Sequence, residues 1–199
     1  MKKLYCIMLA TLPLLQACND EHKNNAQADY LQAHQGYYHA EFVSNNQAQQ
    51  LQLWISPDTA LLSLNDDRDE RSVSDAEFKN NQLHFDNGFI CTEAAEQFTC
   101  SMAEQTYALS AGEETQSSSL QGDFQLGDGV LSVKSDGSAS LKTADCEASL
   151  KLVSVADFHS FSSQSKCLVA KGILLLHENA DFTAVELLSS NNNLMGYWL

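Results

Sequence analysis

Proline is almost missing from this chain, with Pro13 and Pro57 the two copies among 199 residues, and glycine numbers only nine. That excludes collagen and the proline- and glycine-rich disordered class. Cations are scarce too, 11 Lys and Arg against 26 Asp and Glu, and no basic run occurs. A phosphate backbone repels such a chain, so nucleic acid is excluded as a partner. No apolar stretch approaches the roughly 20 residues of a spanning helix. Nucleophile elbow, P-loop, dinucleotide fingerprint and H-E-x-x-H are all lacking, and nothing points to a cofactor. What remains is 44% hydrophobic and 19% charged, the balance of an ordinary globular domain.

The amino terminus carries an address. Met1-Lys2-Lys3 is a positive start, Leu4 to Leu15 is a short apolar run, and Leu15-Gln16-Ala17-Cys18 follows at once. A dozen apolar residues suit a secretory signal and are too few to cross a bilayer. Leu15 to Cys18 resembles the lipobox of bacterial lipoproteins, although Gln16 stands where that family prefers a small or β-branched residue. The resemblance implies cleavage before Cys18, acylation of Cys18, and membrane attachment through its lipid. Asn19 in the following position, rather than Asp, implies the outer membrane. Removing residues 1–17 takes Lys2 and Lys3 with it, so nine cations face 26 acidic residues and the formal net charge moves from −15 to −17. Anionic headgroups repel that surface, which leaves the anchoring to acyl chains at about 0.8 kcal/mol per buried CH₂.

Cys6 leaves with the signal and Cys18 takes lipid, so Cys91, Cys100, Cys146 and Cys167 remain. An even count in an oxidising compartment reads as two disulfides. Pairing neighbours, Cys91 with Cys100 and Cys146 with Cys167, places each midpoint in a turn, so each pair would face across an antiparallel hairpin. Zinc sites bring cysteines closer in sequence than this, and no metal is expected.

Residues 18–34 read as a lipidated flexible tether. From there short apolar runs alternate with turn signals in the manner of antiparallel β structure. A turn at Pro57-Asp58 sets Ile55 against Ala60, Leu53 against Leu62 and Leu51 against Leu64, which makes one apolar face. The other face, with Gln50, Gln52 and Trp54, reads as mostly wet. Asn87-Gly88 signals a two-residue turn that opposes Phe85 to Ile90. At Asp136-Gly137 the apolar faces match only with a three-residue loop, which opposes Val133 to Ala139 and Leu131 to Leu141. Val73 to Lys79 reads equally as helix or strand. Further strands are expected at Gly172 to His177, Phe182 to Leu188 and Leu194 to Leu199.

Gln35-Gly36-Tyr37-Tyr38 and its following hairpin parallel Gln121-Gly122-Asp123-Phe124 and theirs. This suggests two β units, 35–110 and 121–199, joined by a linker at 111–120. Gly122 with its aromatic, the cysteine strands, Gly172 before an aliphatic run and Gly196-Tyr197 resemble small β-barrel lipoproteins of Gram-negative bacteria. That resemblance implies the fold and no shared activity. The expected architecture is all-β, with antiparallel hairpins forming a small barrel or sandwich.

Candidate chemistry is sparse. Asn65 to Glu70 gathers carboxylates in a turn, but Arg68 and Arg71 intrude and the spacing is not that of an EF-hand, so a solvated tip is expected. His22, His34, His39, His84, His159 and His177 share no metal-binding spacing. Ser163 and Lys166 have the S-x-x-K spacing on a strand, where they point to opposite faces. Tyr37, Tyr38, Trp54, Tyr197 and Trp198 are candidates for a binding surface. The expected function is non-catalytic, a lipid-anchored envelope protein that binds a protein or a small apolar ligand. The alternative is an acidic inhibitor or immunity protein against a basic toxin or hydrolase. An enzyme would need groups such as His84, Asp86 and a serine to converge.

Overall fold

A computed structural model describes residues 26–199 apart from 45, 67–70, 96, 113–119, 156–157, 179–182 and 192–193. Among the described residues one helix, α1 (residues 26–33), precedes sixteen strands. The first eight are β1 (Gly36–Ser44), β2 (Gln47–Ile55), β3 (Ala60–Asp66), β4 (Arg71–Lys79), β5 (Gln82–Phe85), β6 (Ile90–Ala94), β7 (Gln97–Met102) and β8 (Gln105–Ala111). They pair strictly in sequence order and close into an up-and-down barrel through β1 and β8. The second eight are β9 (Gly122–Leu126), β10 (Gly129–Val133), β11 (Ala139–Lys142), β12 (Glu147–Val155), β13 (Phe158–Gln164), β14 (Val169–Glu178), β15 (Thr183–Ser189) and β16 (Gly196–Trp198). They repeat the meander, and the ends of that sheet meet where Gln125 and Leu199 exchange backbone hydrogen bonds of 2.6 and 2.9 Å.

The expected all-β fold of two similar units therefore stands, with barrels rather than a sandwich. Gly36 and Gly122 open the two barrels with φ of 148° and 143°, values that glycine alone adopts readily. The repeated turns also correspond, since the loops at Pro57 and at Gly137 each join the second and third strands of their barrel.

Alternation of side chains determines most of the pairing. Ile55 faces Ala60, Leu53 faces Leu62 and Leu51 faces Leu64, the register that makes one face apolar. Val133 faces Ala139 and Leu131 faces Leu141, with Gly137 at φ 80° in the three-residue loop. The Asn87-Gly88 turn departs from expectation by one residue. His84, not Phe85, opposes Ile90, and Phe85 donates its amide to the Phe89 carbonyl at 2.9 Å. The longer loop is favoured because it brings Leu83, Phe85, Phe89 and Cys91 to the buried side together. Val73 to Lys79 lies within β4, since Val73 packs outward and Phe78 inward at the two-residue period of a strand.

An eight-stranded barrel is just wide enough for side chains to fill it. Leu51, Leu53, Leu62, Phe85, Phe89 and Phe98 join in one apolar cluster inside the first barrel. Phe124, Leu131, Leu141, Phe161, Leu174 and Trp198 do the same in the second. Gly172 is dictated by this packing, because a Cβ there would lie 2.2 Å from the Phe161 ring and 2.4 Å from the Leu188 carbonyl. The described part of the tether expected over 18–34 is helical rather than extended and flexible. Its last residues form α1, whose Leu31 is 2% exposed against the first core, with the Tyr30 ring 4.8 Å from that of Phe78 and tilted to it. A helix this short owes its stability to such packing.

Both disulfides form between neighbours. Cys91 and Cys100 are direct partners across β6 and β7, fully buried, with Cα atoms 4.0 Å apart. Cys146 and Cys167 lie just beyond the β12 and β13 ladder, with Cα atoms 5.6 Å apart. The bridges thus join the sixth and seventh strands of one barrel but, in the other, the turns at the open end of the hairpin formed by the fourth and fifth. The repeat extends to the architecture and not to the disulfides.

The face of β2 and β3 expected to be wet is buried. Trp54 and Leu61 are fully covered, Gln52 is 8% exposed, and the cover is the second barrel. Tyr37, Trp54, Leu61 and Val73 pack on Phe158, Ile173, Leu175 and Leu188 in a third apolar cluster. Polar contacts edge this seam. Asp58, at the tip of the Pro57 turn, accepts hydrogen bonds from Ser56 at 3.0 Å and from Ser160 of the other barrel at 3.2 Å. Ser190 donates to Asp75 across the same boundary.

Candidate functional site

The seam holds a chain of side-chain hydrogen bonds that neither barrel completes alone. On the outer face of the first barrel, Gln52 donates to the Tyr37 hydroxyl at 3.0 Å and accepts from the Asn65 amide at 3.1 Å. Asn65 Oδ1 accepts from Ser63 Oγ and from Arg71 Nε, both at 2.8 Å. Antiparallel pairing accounts for the meeting, since Asn65 and Arg71 are register partners on β3 and β4. Arg71 Nη1 then donates to Glu186 Oε1 on β15 of the second barrel. His177 on β14 bonds the other carboxylate oxygen through Nε2 at 3.0 Å. A carboxylate only accepts, so this nitrogen carries the proton.

The Glu186 side chain is 7% exposed, which makes it the buried charge of the seam. Burial of a carboxylate is costly unless both oxygens are satisfied, and here a guanidinium and an imidazole do so. Above this group a cleft of 290 Å³ opens, lined by Asn65, Arg71 and Glu186 on its polar side and by Leu188, Met195 and Tyr197 on its apolar side. Tyr197 is 55% exposed at its edge. A second groove shares Asn65 and Arg71 and runs over the first barrel past Glu41, Val43 and Asp66. No serine, threonine, cysteine or lysine lines the cleft among the described residues. The arrangement offers hydrogen-bonding groups beside apolar surface, the combination that orients a bound ligand.

The residues singled out in the sequence are dispersed. Asp67 to Glu70 lie outside the described residues, as do Cys18 and His22, while Asn65 and Arg71 enter the seam. His34 bonds the Tyr30 carbonyl at 2.7 Å and meets Glu93 at 3.3 Å, both beside α1. His39 stacks on Tyr37, and the Nε2 of His84 is buried without a partner among the described residues. No hydrogen bond links His84, Asp86 and a serine among the described residues. Ser163 gives its hydroxyl to the Leu168 carbonyl at 3.1 Å, and Lys166 lies in the exposed turn that follows. Of the aromatic candidates, Tyr37 and Trp54 fill the seam, Tyr38 and Trp198 pack in or against the barrel cores, and Tyr197 alone faces solvent. No group of three or more His, Cys, Asp or Glu is placed to hold a metal among the described residues.

The sequence reading missed a serine–histidine contact outside the seam. Ser154 and His159 are cross-strand partners near the end of the β12–β13 hairpin, with Oγ 3.0 Å from Nδ1. Burial holds the His159 imidazole below its ordinary pKa. In the unfolded chain the same ring titrates near 6.5, so between that value and its lower folded one the unfolded state binds the extra proton. Stability therefore falls as pH drops below about 6.5 and levels off once both states are protonated. Melting temperature measured from pH 8 to pH 5 should show this decline, and His159→Gln should reduce it; an unchanged profile in the variant would refute the assignment.

The chain matches no family model, no curated protein and no solved structure.

Proposed function

We propose that this chain is a lipid-anchored protein of the cell envelope, attached to the outer membrane through Cys18, that works by non-catalytic binding at the seam between its barrels. One observation carries the reading. Glu186 is buried between Arg71 of the first barrel and the solvent-reaching His177 of the second, beside a cleft whose other wall is Leu188, Met195 and Tyr197. The barrel interiors are packed with their own side chains, which argues against an apolar ligand carried inside either one. A protein segment pairing polar backbone with an apolar side chain fits the cleft's two walls.

The anchor is tested by fractionation. Wild-type chain should sediment with membranes and Cys18→Ser should be soluble; membrane association of the variant would remove the lipid from the proposal. The binding surface is tested with a photoreactive residue in place of Tyr197 in living cells. A discrete protein adduct is expected there and none from the same residue at Lys134, an exposed turn position. Equal labelling at both sites, or none, would overturn the seam as the binding surface. The inhibitor alternative is favoured by Glu41 and Asp66 in the adjoining groove. It requires a basic partner whose capture fails at high salt, whereas an adduct indifferent to salt excludes it.

A further inference from the structure

The outer face of the second barrel carries a row of side chains that lies away from the seam cleft and reaches the first barrel at Asp58. Lys151 on β12 faces Ser162 on β13, and Ser162 faces Lys171 on β14. Cross-strand neighbours stand close on one face, so this register sets an amine on each side of a hydroxyl. Ser149 and Gln164, two residues along their strands, share that face. Together with Asp58 they line a groove of 540 Å³. Two cations and a single carboxylate line it, in a chain where acidic residues outnumber basic ones 26 to 11.

Asp58 does not saturate those cations. Its Oδ1 is occupied by Ser56 and Ser160, its Oδ2 lies 4.0 Å from Lys151 Nζ, and Lys171 reaches only its backbone carbonyl at 3.4 Å. We propose that this groove is an oxyanion site for a phosphate group, free or esterified. Lys151 and Lys171 approach from two sides, while Ser149, Ser162 and Gln164 supply neutral donors. A phosphate dianion matches two ammonium groups in charge and offers more acceptor oxygens than a carboxylate. The acidic surface elsewhere does not forbid this, because at 0.15 M salt charges beyond about 8 Å are largely screened.

The test uses the full mature chain carrying Cys18→Ser, followed by amide NMR as inorganic phosphate is added. Saturable shifts are expected around Lys151, Ser162 and Lys171. Lys151→Gln and Lys171→Gln should each weaken binding about tenfold, the loss of one charge-assisted hydrogen bond, whereas Lys134→Gln should leave it unchanged. Vesicles containing phosphatidic acid, whose phosphate monoester can carry the dianion, compared with phosphatidylcholine alone, identify the source. Lysine-dependent co-sedimentation with the former assigns an esterified headgroup, and its absence alongside a retained phosphate titration assigns free phosphate. No saturable response in either arm, or shifts spread evenly over all lysines, would overturn the site. Both glutamine variants alter exposed side chains, and an unchanged melting temperature separates lost binding from lost folding. The seam proposal is independent of this outcome, since none of these residues lines the seam cleft.

Discussion

Arg71→Met is expected to lower the unfolding free energy by about 2–3 kcal/mol, because the removed guanidinium is only partly buried while the Glu186 carboxylate it leaves is buried. The loss exceeds the value of the contact itself, because Glu186 remains buried with only His177 to satisfy it. Asn65 loses a donor as well, since Arg71 Nε supplies one of the two hydrogen bonds to its Oδ1. An apolar pair tolerates the same site far better. Arg71→Met combined with Glu186→Leu should recover most of the stability, because no charge is then left without a partner. Urea unfolding of the two single variants and the double variant measures the cycle. A single variant within about 0.5 kcal/mol of wild type, the range of ordinary surface changes, would show that the pair is solvent-screened.

The two disulfides should differ in a direction that loop length alone reverses. Sequence separations of 9 and 21 give about 2.6 and 3.3 kcal/mol in the chain-entropy model, ranking Cys146–Cys167 first. Burial ranks them the other way. Cys91 and Cys100 are fully enclosed in the first core, so replacing both by alanine also leaves a cavity, which raises the expected cost to about 4–5 kcal/mol. Cys146 is half-buried and Cys167 exposed, and alanine there should cost about 3 kcal/mol. Mild reductant should therefore open Cys146–Cys167 first, as read by alkylation and mass spectrometry, while the buried bridge persists until the first barrel unfolds. Equal costs, or prior loss of Cys91–Cys100, would refute the argument from burial.

The pairing of Leu53 with Leu62 and of Leu131 with Leu141 was legible because a one-residue slip would expose every apolar side chain of a strand. The Asn87-Gly88 register was less so, since turn chemistry favours two residues there and the packing of Phe85 with Phe89 prevails. Trp54 and Gln52 were misread for a different reason. Their cover comes from Phe158 and Ile173, more than a hundred residues away, and no local period announces a second barrel. Arg71 and Glu186 are separated by 115 positions, so the candidate site itself has no signature in the chain. The row of Lys151, Ser162 and Lys171 becomes visible only when strand register is known.

The first barrel is fastened unevenly along its length. β1 pairs with β2 over nine residues but with β8 over two, Tyr38 to Ala111 and His39 to Ser110. Beyond that point Phe42 and Tyr107 span the gap with ring centroids 4.3 Å apart. All other pairings in the barrel join neighbours in sequence, so this closure alone must gather a loop of some seventy residues. On loop-closure grounds it is the contact expected to form late in folding and to open early. Hydrogen exchange should accordingly be fast at His39 and Ser110 and slow at Leu53. β8 contributes nothing to the inter-barrel core, whereas β1 is held there by Tyr37. Opening of the first barrel is therefore expected to swing β8 away from a β1 that Tyr37 holds to the other barrel.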